Sequence, residues 1–160
     1  MGVEIERKFL VNHEAWHRVT KPKGIYYRQG YILNDDDRSV RVRVTDTHSY
    51  LTLKSSSTSR ISREEYEYEI PIPDGKEILK AFAKNGTEKI RYRIPFGGFI
   101  WEVDEFLGEN EGLIIAEIEL NDEHNEFEKP AWVTNEVTDD ERYANANLAV
   151  RPYKDHYFSR

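Results

Sequence analysis

The 160-residue chain contains no cysteine, which excludes disulfides and thiolate metal sites and fits a reducing, cytoplasmic setting. It has no apolar run long enough to span a bilayer, and no apolar core near its start of the kind a secretory signal carries, so a soluble protein away from membranes is expected. Positive charge is in short supply: 23 Lys and Arg stand against 30 Asp and Glu, a net charge of -7. That balance argues against bulk-charge binding to nucleic acid or an anionic membrane. A glycine-rich phosphate loop and a clear internal repeat are also missing. Of the five histidines, only His13 and His17 are spaced as ligands could be, and without a third partner they read as surface residues. What remains is 38% hydrophobic and 12% aromatic residues, enough for one folded domain over residues 1–160.

The stretch Val3 to Leu10, read with period two, puts Glu4, Glu6 and Lys8 on one face and Ile5, Phe9 and Val11 on the other. Two carboxylates on one face repel unless a cation or a basic neighbour lies between them, so the pair is a candidate metal seat. The same alternation recurs along the chain. Ile25 to Leu33 and Ser39 to Thr45 read as a hairpin across Asn34 to Asp37, followed by strands over Tyr50 to Ser55 and Glu65 to Ile72. The Ser/Thr run Ser55 to Ser59 reads as a loop. A helix is expected over Asp74 to Asn85, stopped by Asn85-Gly86. Further strands cover Lys89 to Ile94, Ile100 to Phe106 and Leu113 to Leu120. Short helices are expected around His13 to Val19, at Asp122 to Glu128 and at about residues 139–148, the last followed by a short tail. The fold class is therefore α+β, mainly antiparallel, with about eight strands closed into a barrel and a few flanking helices.

Within each strand the charges are sorted by sign. Glu4/Glu6, Glu65/Glu67/Glu69, Glu102/Asp104 and Glu117/Glu119 are acidic, whereas Arg41/Arg43 and Lys89/Arg91/Arg93 are basic, with Lys8 and Lys54 added. One such pair reads as an ordinary solvated face. Six sorted groups do not, because like neighbours repel and a merely wet face mixes its signs. If these faces line the inside of the barrel, a carboxylate cluster suited to hard divalent cations lies beside an Arg/Lys cluster suited to phosphate oxygens. The apolar faces then point outward, under helices or a second subunit, and a homodimer is one way to cover them.

Glu4-x-Glu6-x-Lys8 resembles the ExExK signature of the CYTH superfamily, the triphosphate tunnel metalloenzymes. The resemblance extends through Arg41-x-Arg43, Lys54, Glu65-x-Glu67, Lys89-x-Arg91, Asp104 and Glu117-x-Glu119, in this order, across residues 3–148. It implies an eight-stranded tunnel that binds a triphosphate through basic residues and Mg or Mn through acidic ones. Carried over, Glu4, Glu6, Glu117 and Glu119 are the implied metal ligands, with Asp104 as a further ligand or a holder of metal-bound water. Lys8, Arg41, Arg43, Lys54, Lys89 and Arg91 are implied to grip the triphosphate, Lys8, Arg41, Arg43 and Asp104 also being the implied catalytic set. Glu65 and Glu67 would orient basic residues or water, and Tyr31 could face the site. Glu136 to Asn147 resembles a helix that plugs one tunnel end, from which Arg142 could reach a phosphate.

The chain is similar to small bacterial tripolyphosphatases, which implies hydrolysis of inorganic tripolyphosphate to pyrophosphate and phosphate. Within the same fold, a class IV adenylate cyclase and a thiamine or nucleoside triphosphatase are the alternatives. A non-catalytic polyphosphate- or nucleotide-binding module is the alternative from another class, although binding alone requires mainly the basic residues.

Overall fold

The computed structural model of the protein describes residues 2–57, 61–83, 85–150 and 152–153. Among the described residues nine strands form a single antiparallel sheet: β1 (Gly2–Val11), β2 (Ile25–Asn34), β3 (Arg38–Val44), β4 (Ser49–Ser57), β5 (Ser62–Ile70), β6 (Asn85–Phe96), β7 (Phe99–Phe106), β8 (Ile114–Glu119) and β9 (Val133–Glu136). Their order is β5-β4-β3-β2-β6-β7-β8-β1-β9, and a further pairing between β5 and β1 closes the first eight into the expected barrel. Closure depends on β1 serving three neighbours. Its first half pairs with β5 from Gly2↔Glu65 to Ile5↔Ser62, its second half with β8 from Glu6↔Glu119 to Leu10↔Ile115, and Phe9 and Val11 also meet Glu136 and Val133 of β9.

The barrel is inverted. Lys89 and Asp104 are fully buried inside it, and Arg41, Arg43, Arg91 and Glu117 are nearly so. The main apolar cluster lies outside, on β1, β6, β7 and β8, where Phe9, Trp101, Val103, Ala116 and Ile118 lose all contact with solvent. It is covered by the short helix α1 (His13–His17) through Trp16 and by the connection before β9 through Leu120, Phe127 and Trp132. Trp101 packs against Phe9, Phe127 and Trp132 at centroid distances of 5.6, 5.8 and 6.1 Å. A second cluster plugs one end of the barrel, where Tyr143 and Leu148 meet Phe106, Ile115 and Val137. Leu148 lies on α3 (Asn145–Val150).

The helix α2 (Ile72–Phe82) starts two residues before its expected boundary, because Pro73 falls in the first turn, where its missing N–H costs nothing. Three expectations change. Ser55 to Ser57 continue β4 instead of looping, with Ser57 paired to Arg63 beyond a register shift, and residues 58–59 lie outside the described residues. No helix forms over Asp122 to Glu128: the Asn125 side chain accepts from the N–H groups of Asn121 and Asp122, and Asp122 accepts from that of His124, a local turn that competes with helix. The helix expected at 139–148 is broken in two. A 3-10 turn at Glu141–Tyr143, capped by Asp140, ends at the extended Ala144, and α3 begins after it and runs on to Val150. The tail beyond Val150 is described only at residues 152–153, where Tyr153 N–H donates to Asn110 Oδ1. Among the described residues no helix is long and apolar enough to cross a membrane.

Candidate active site

The inward residues of the barrel line two cavities of about 390 and 550 Å³ that share Glu4, Glu6, Arg41, Lys54 and Asn145 as walls. The first opens past Tyr31, Asp35, Arg38, Thr138 and the plug residues Ala144 and Asn147. The second opens past Tyr27, Tyr50, Glu65, Glu67, Arg93, Glu102 and Glu119. Strand register explains why these groups meet. Glu6 lies opposite Glu119 and Lys8 opposite Glu117 on β1 and β8, Glu117 opposite Glu102 on β7, and Lys54 opposite Glu65 on β4 and β5.

Asp104 lies at the centre of the basic wall. Its carboxylate accepts from Lys89 Nζ at 2.7 Å and from Arg91 Nε and Nη2 at 2.7 and 2.8 Å. Burial opposes its ionisation, but Arg91 and Lys89 outweigh it and hold the carboxyl well below the usual carboxylate range. The burial of Lys89 wins the opposite contest: despite Asp104, loss of solvent and the charges of Arg91 and Arg43 bring its ammonium down to about 7. Asp104 thus spends its lone pairs on two cations and lies outside the lining of either cavity, as does Lys89.

Arg43 is aimed by two residues that carry no charge. Its Nε donates to Gln29 Oε1 at 2.8 Å, and its guanidinium lies 5.0 Å from the centre of the Tyr27 ring, over which Arg91 also lies at 5.3 Å. Burial, with Arg41 and Arg91 adding like charge, lowers its pKa. Thr52 donates to Glu67 Oε2 at 2.9 Å and so holds Glu67 beside Arg41. Arg41 Nε and Gln29 Nε2 are buried without a hydrogen-bond partner; Arg41 lines both cavities and Gln29 neither. Gln29 and Thr52 have no site role in the sequence reading, and Tyr27 reads there as a packing and hydrogen-bonding residue. Their signal was weak, a neutral residue at an inward position opposite a basic one: Gln29 faces Arg43, Tyr27 faces Lys89 and Thr52 faces Arg41.

The acidic wall is crowded. Burial raises Glu4, and Glu65 adds to it against the pull of Lys54; burial also raises Glu119, with Glu4, Glu6, Glu65 and Glu102 all adding charge. Lys8 sits 3.9 Å from both Glu6 and Glu117, and these carboxylates with Glu4 outweigh its burial and raise its pKa. Lys54 Nζ donates to both oxygens of Glu4, at 3.0 and 2.8 Å. Arg142, by contrast, turns to Asp140 with Nη2 at 2.6 Å from Oδ2 and lines neither cavity. A donor set made of carboxylates alone suits a hard divalent cation. Among the described residues, no three acidic or histidine side chains are already drawn close enough to hold an ion.

Residues 2–153 match the family model described as CYTH domain. The chain is 56% identical over 155 residues to an inorganic triphosphatase of Acetivibrio thermocellus, covering 96% of this chain and 97% of that protein. It is 36% identical over 156 residues to an inorganic triphosphatase of Nitrosomonas europaea, covering 92% and 97%. The crystal structure of an inorganic triphosphatase 33% identical to this chain superposes with a TM-score of 0.62, covering 94% of this chain and 96% of that one.

Proposed function

The chain belongs to the CYTH domain family, and on that premise we propose that it is an inorganic triphosphatase, a hydrolase that cleaves tripolyphosphate to pyrophosphate and phosphate inside its barrel. The observation that carries the reading is the division of the cavity wall into a basic side, Arg41, Arg43 and Arg91, and an acidic side, Glu4, Glu6, Glu117 and Glu119, to which Lys54 is bonded through Glu4. A chain of phosphates needs the first to be held and, at neutral pH, a cation on the second to offset its charge. An organic triphosphate would also need a surface for its ring. The aromatic groups at the second mouth are already packed on protein: Tyr27 under Arg43 and Arg91, Tyr50 against His48 at 6.0 Å, and Phe99 against Phe127 at 6.4 Å. That favours the inorganic substrate over ATP or thiamine triphosphate.

The residues fit a divalent metal in donor chemistry: burial raises Glu4 and Glu119, with like charge from Glu65 on the first and from Glu4, Glu6, Glu65 and Glu102 on the second, and such an ion would offset that cost. Glu4, Glu6, Glu117 and Glu119 would hold Mg or Mn, one or two carboxylates at a time, because Mg in particular keeps several waters of its own. When bound, the metal supplies Lewis acidity toward the phosphate oxygens. The chain's own residues do the rest. Arg41, Arg43, Lys54, Lys8 and Arg91 neutralise and align the phosphates so that water attacks the terminal phosphorus in line with the departing bridge oxygen. As the P–O bond breaks, charge moves onto pyrophosphate, and the same guanidinium and ammonium groups stabilise it there. Lys89 and Asp104 act through Arg91, fixing its fork from behind. Glu67 acts through Arg41.

The test is phosphate release from tripolyphosphate, ATP and thiamine triphosphate, each with Mg, with Mn and with a chelator. Preferred, metal-dependent release from tripolyphosphate is expected. Cyclic AMP formed from ATP would point to the cyclase instead, and metal-dependent binding without turnover would point to a binding module.

A further inference from the structure

Lys54 is expected to grip phosphate, yet it is bonded to the acidic wall. Its Nζ lies 3.0 and 2.8 Å from the two oxygens of Glu4 and 3.5 Å from Glu65 Oε2, and the side chains of Lys54 and Glu4 are each only 13% exposed. The other acid–base contacts around the proposed metal ligands are looser. Lys8 stands 3.9 Å from Glu6 and from Glu117, and Arg91 stands 3.8 Å from Glu117, beyond hydrogen-bond range. Among the described residues, Glu4 is therefore the one of the four carboxylates whose two oxygens are both bonded to a cation of the chain. A hard divalent ion needs those same lone pairs. A phosphate oxygen, for its part, needs the donors that Lys54 gives to Glu4.

We infer that Lys54 is a positioning residue for the metal seat: it competes with a divalent cation for Glu4, while Glu4 competes with triphosphate for Lys54. The inference rests on the reading of the tunnel as a metal and triphosphate site. Its flexible four-carbon stem lets Lys54 change partners without moving β4. A metal arriving at Glu4 releases Lys54 toward phosphate, and a triphosphate that draws Lys54 away uncovers Glu4. Each ligand thus clears the other's site, so the two bind better together than separately. Linkage requires the effect to be equal in both directions.

The test uses binding alone. Mn titrated into the full chain without any phosphate, with free Mn followed by its paramagnetic resonance, is expected to bind roughly tenfold more tightly to Lys54→Met than to wild type. Lys8→Met removes the same charge from a lysine not bonded to its carboxylates and is expected to gain less. Reciprocally, calorimetry in chelator is expected to give tighter tripolyphosphate binding to Glu4→Gln than to wild type, with a smaller gain for Glu6→Gln. Circular dichroism confirms that each variant folds, and Lys54→Gln replaces the Met variant if that one does not. An unchanged or weaker Mn affinity in the Lys54 variant, or gains matched by the Lys8 and Glu6 variants, overturns the inference. Absence of any hydrolysis would count against the triphosphatase reading without affecting these binding results.

Discussion

Lys89 is the side chain on which burial and charge conflict most. Its ammonium is fully enclosed beside Asp104, with Arg91 and Arg43 close by, and is brought down from 10.5 to about 7. Between those values the unfolded chain binds more protons than the folded one, so stability rises with pH across that window. Lys89→Met lacks this titration, and wild-type stability measured against the variant is expected to climb by several kcal/mol between pH 7 and 10. A constant difference in melting temperature over that range would refute the burial argument. Arg43→Ala removes a buried fork held by Gln29 and is expected to weaken triphosphate binding by about 1.5–3 kcal/mol in calorimetry. Glu119→Gln should abolish metal-dependent turnover while leaving the circular dichroism spectrum unchanged; full activity would remove it from the metal seat. At this scale the charged residues were legible, because period-two alternation places Glu4, Arg41 or Glu117 on a face regardless of context. Gln29 and Thr52 were not, because a neutral residue acquires its role only from the arginine or carboxylate that register places opposite it, and Tyr27, opposite Lys89, acquires its own from the guanidinium groups of Arg43 and Arg91 over its ring.

Among the elements, β1 carries most of the topology, since its two halves join different neighbours and so turn an open sheet into a barrel. Its inward face was readable from the sequence, but its partners were not, because pairings as distant as Gly2 with Glu65 and Glu6 with Glu119 leave no local trace. The same limit explains the broken C-terminal helix: Asp140 caps a single 3-10 turn, and the packing of Tyr143 and Leu148 on Phe106 and Ile115 decides where α3 begins. The outer helix α2 approaches β3 and β4 at Gly75, where a Cβ would overlap the Ser49 hydroxyl and press on Val44. Gly75→Ala is therefore expected to lower stability by about 1–3 kcal/mol in denaturant unfolding. It should leave activity per folded molecule intact, because α2 lies outside the tunnel; lost activity with full stability would mean that α2 shapes the site.

For the whole molecule, an inverted barrel sets two groups of carboxyls against each other. Asp104 is held well below its ordinary value of 3.8, so its stabilisation is complete above that pH and is lost as pH falls further. Glu4 and Glu119 are raised above 4.5, so they favour the fold most when protonated, and that contribution is lost as pH rises through their raised values. Without metal, stability is therefore expected to be greatest in the mildly acidic interval between these limits and to decline toward neutral pH. A divalent cation changes the second term alone, because it offsets the charge of Glu4 and Glu119 without touching the Lys89–Asp104–Arg91 cluster. The gain in melting temperature on adding Mg should accordingly be larger at about pH 7.5 than at about pH 5. Equal gains at both values would mean that the ion binds elsewhere. A larger gain in Glu119→Gln than in wild type would mean that this carboxylate is no part of the seat.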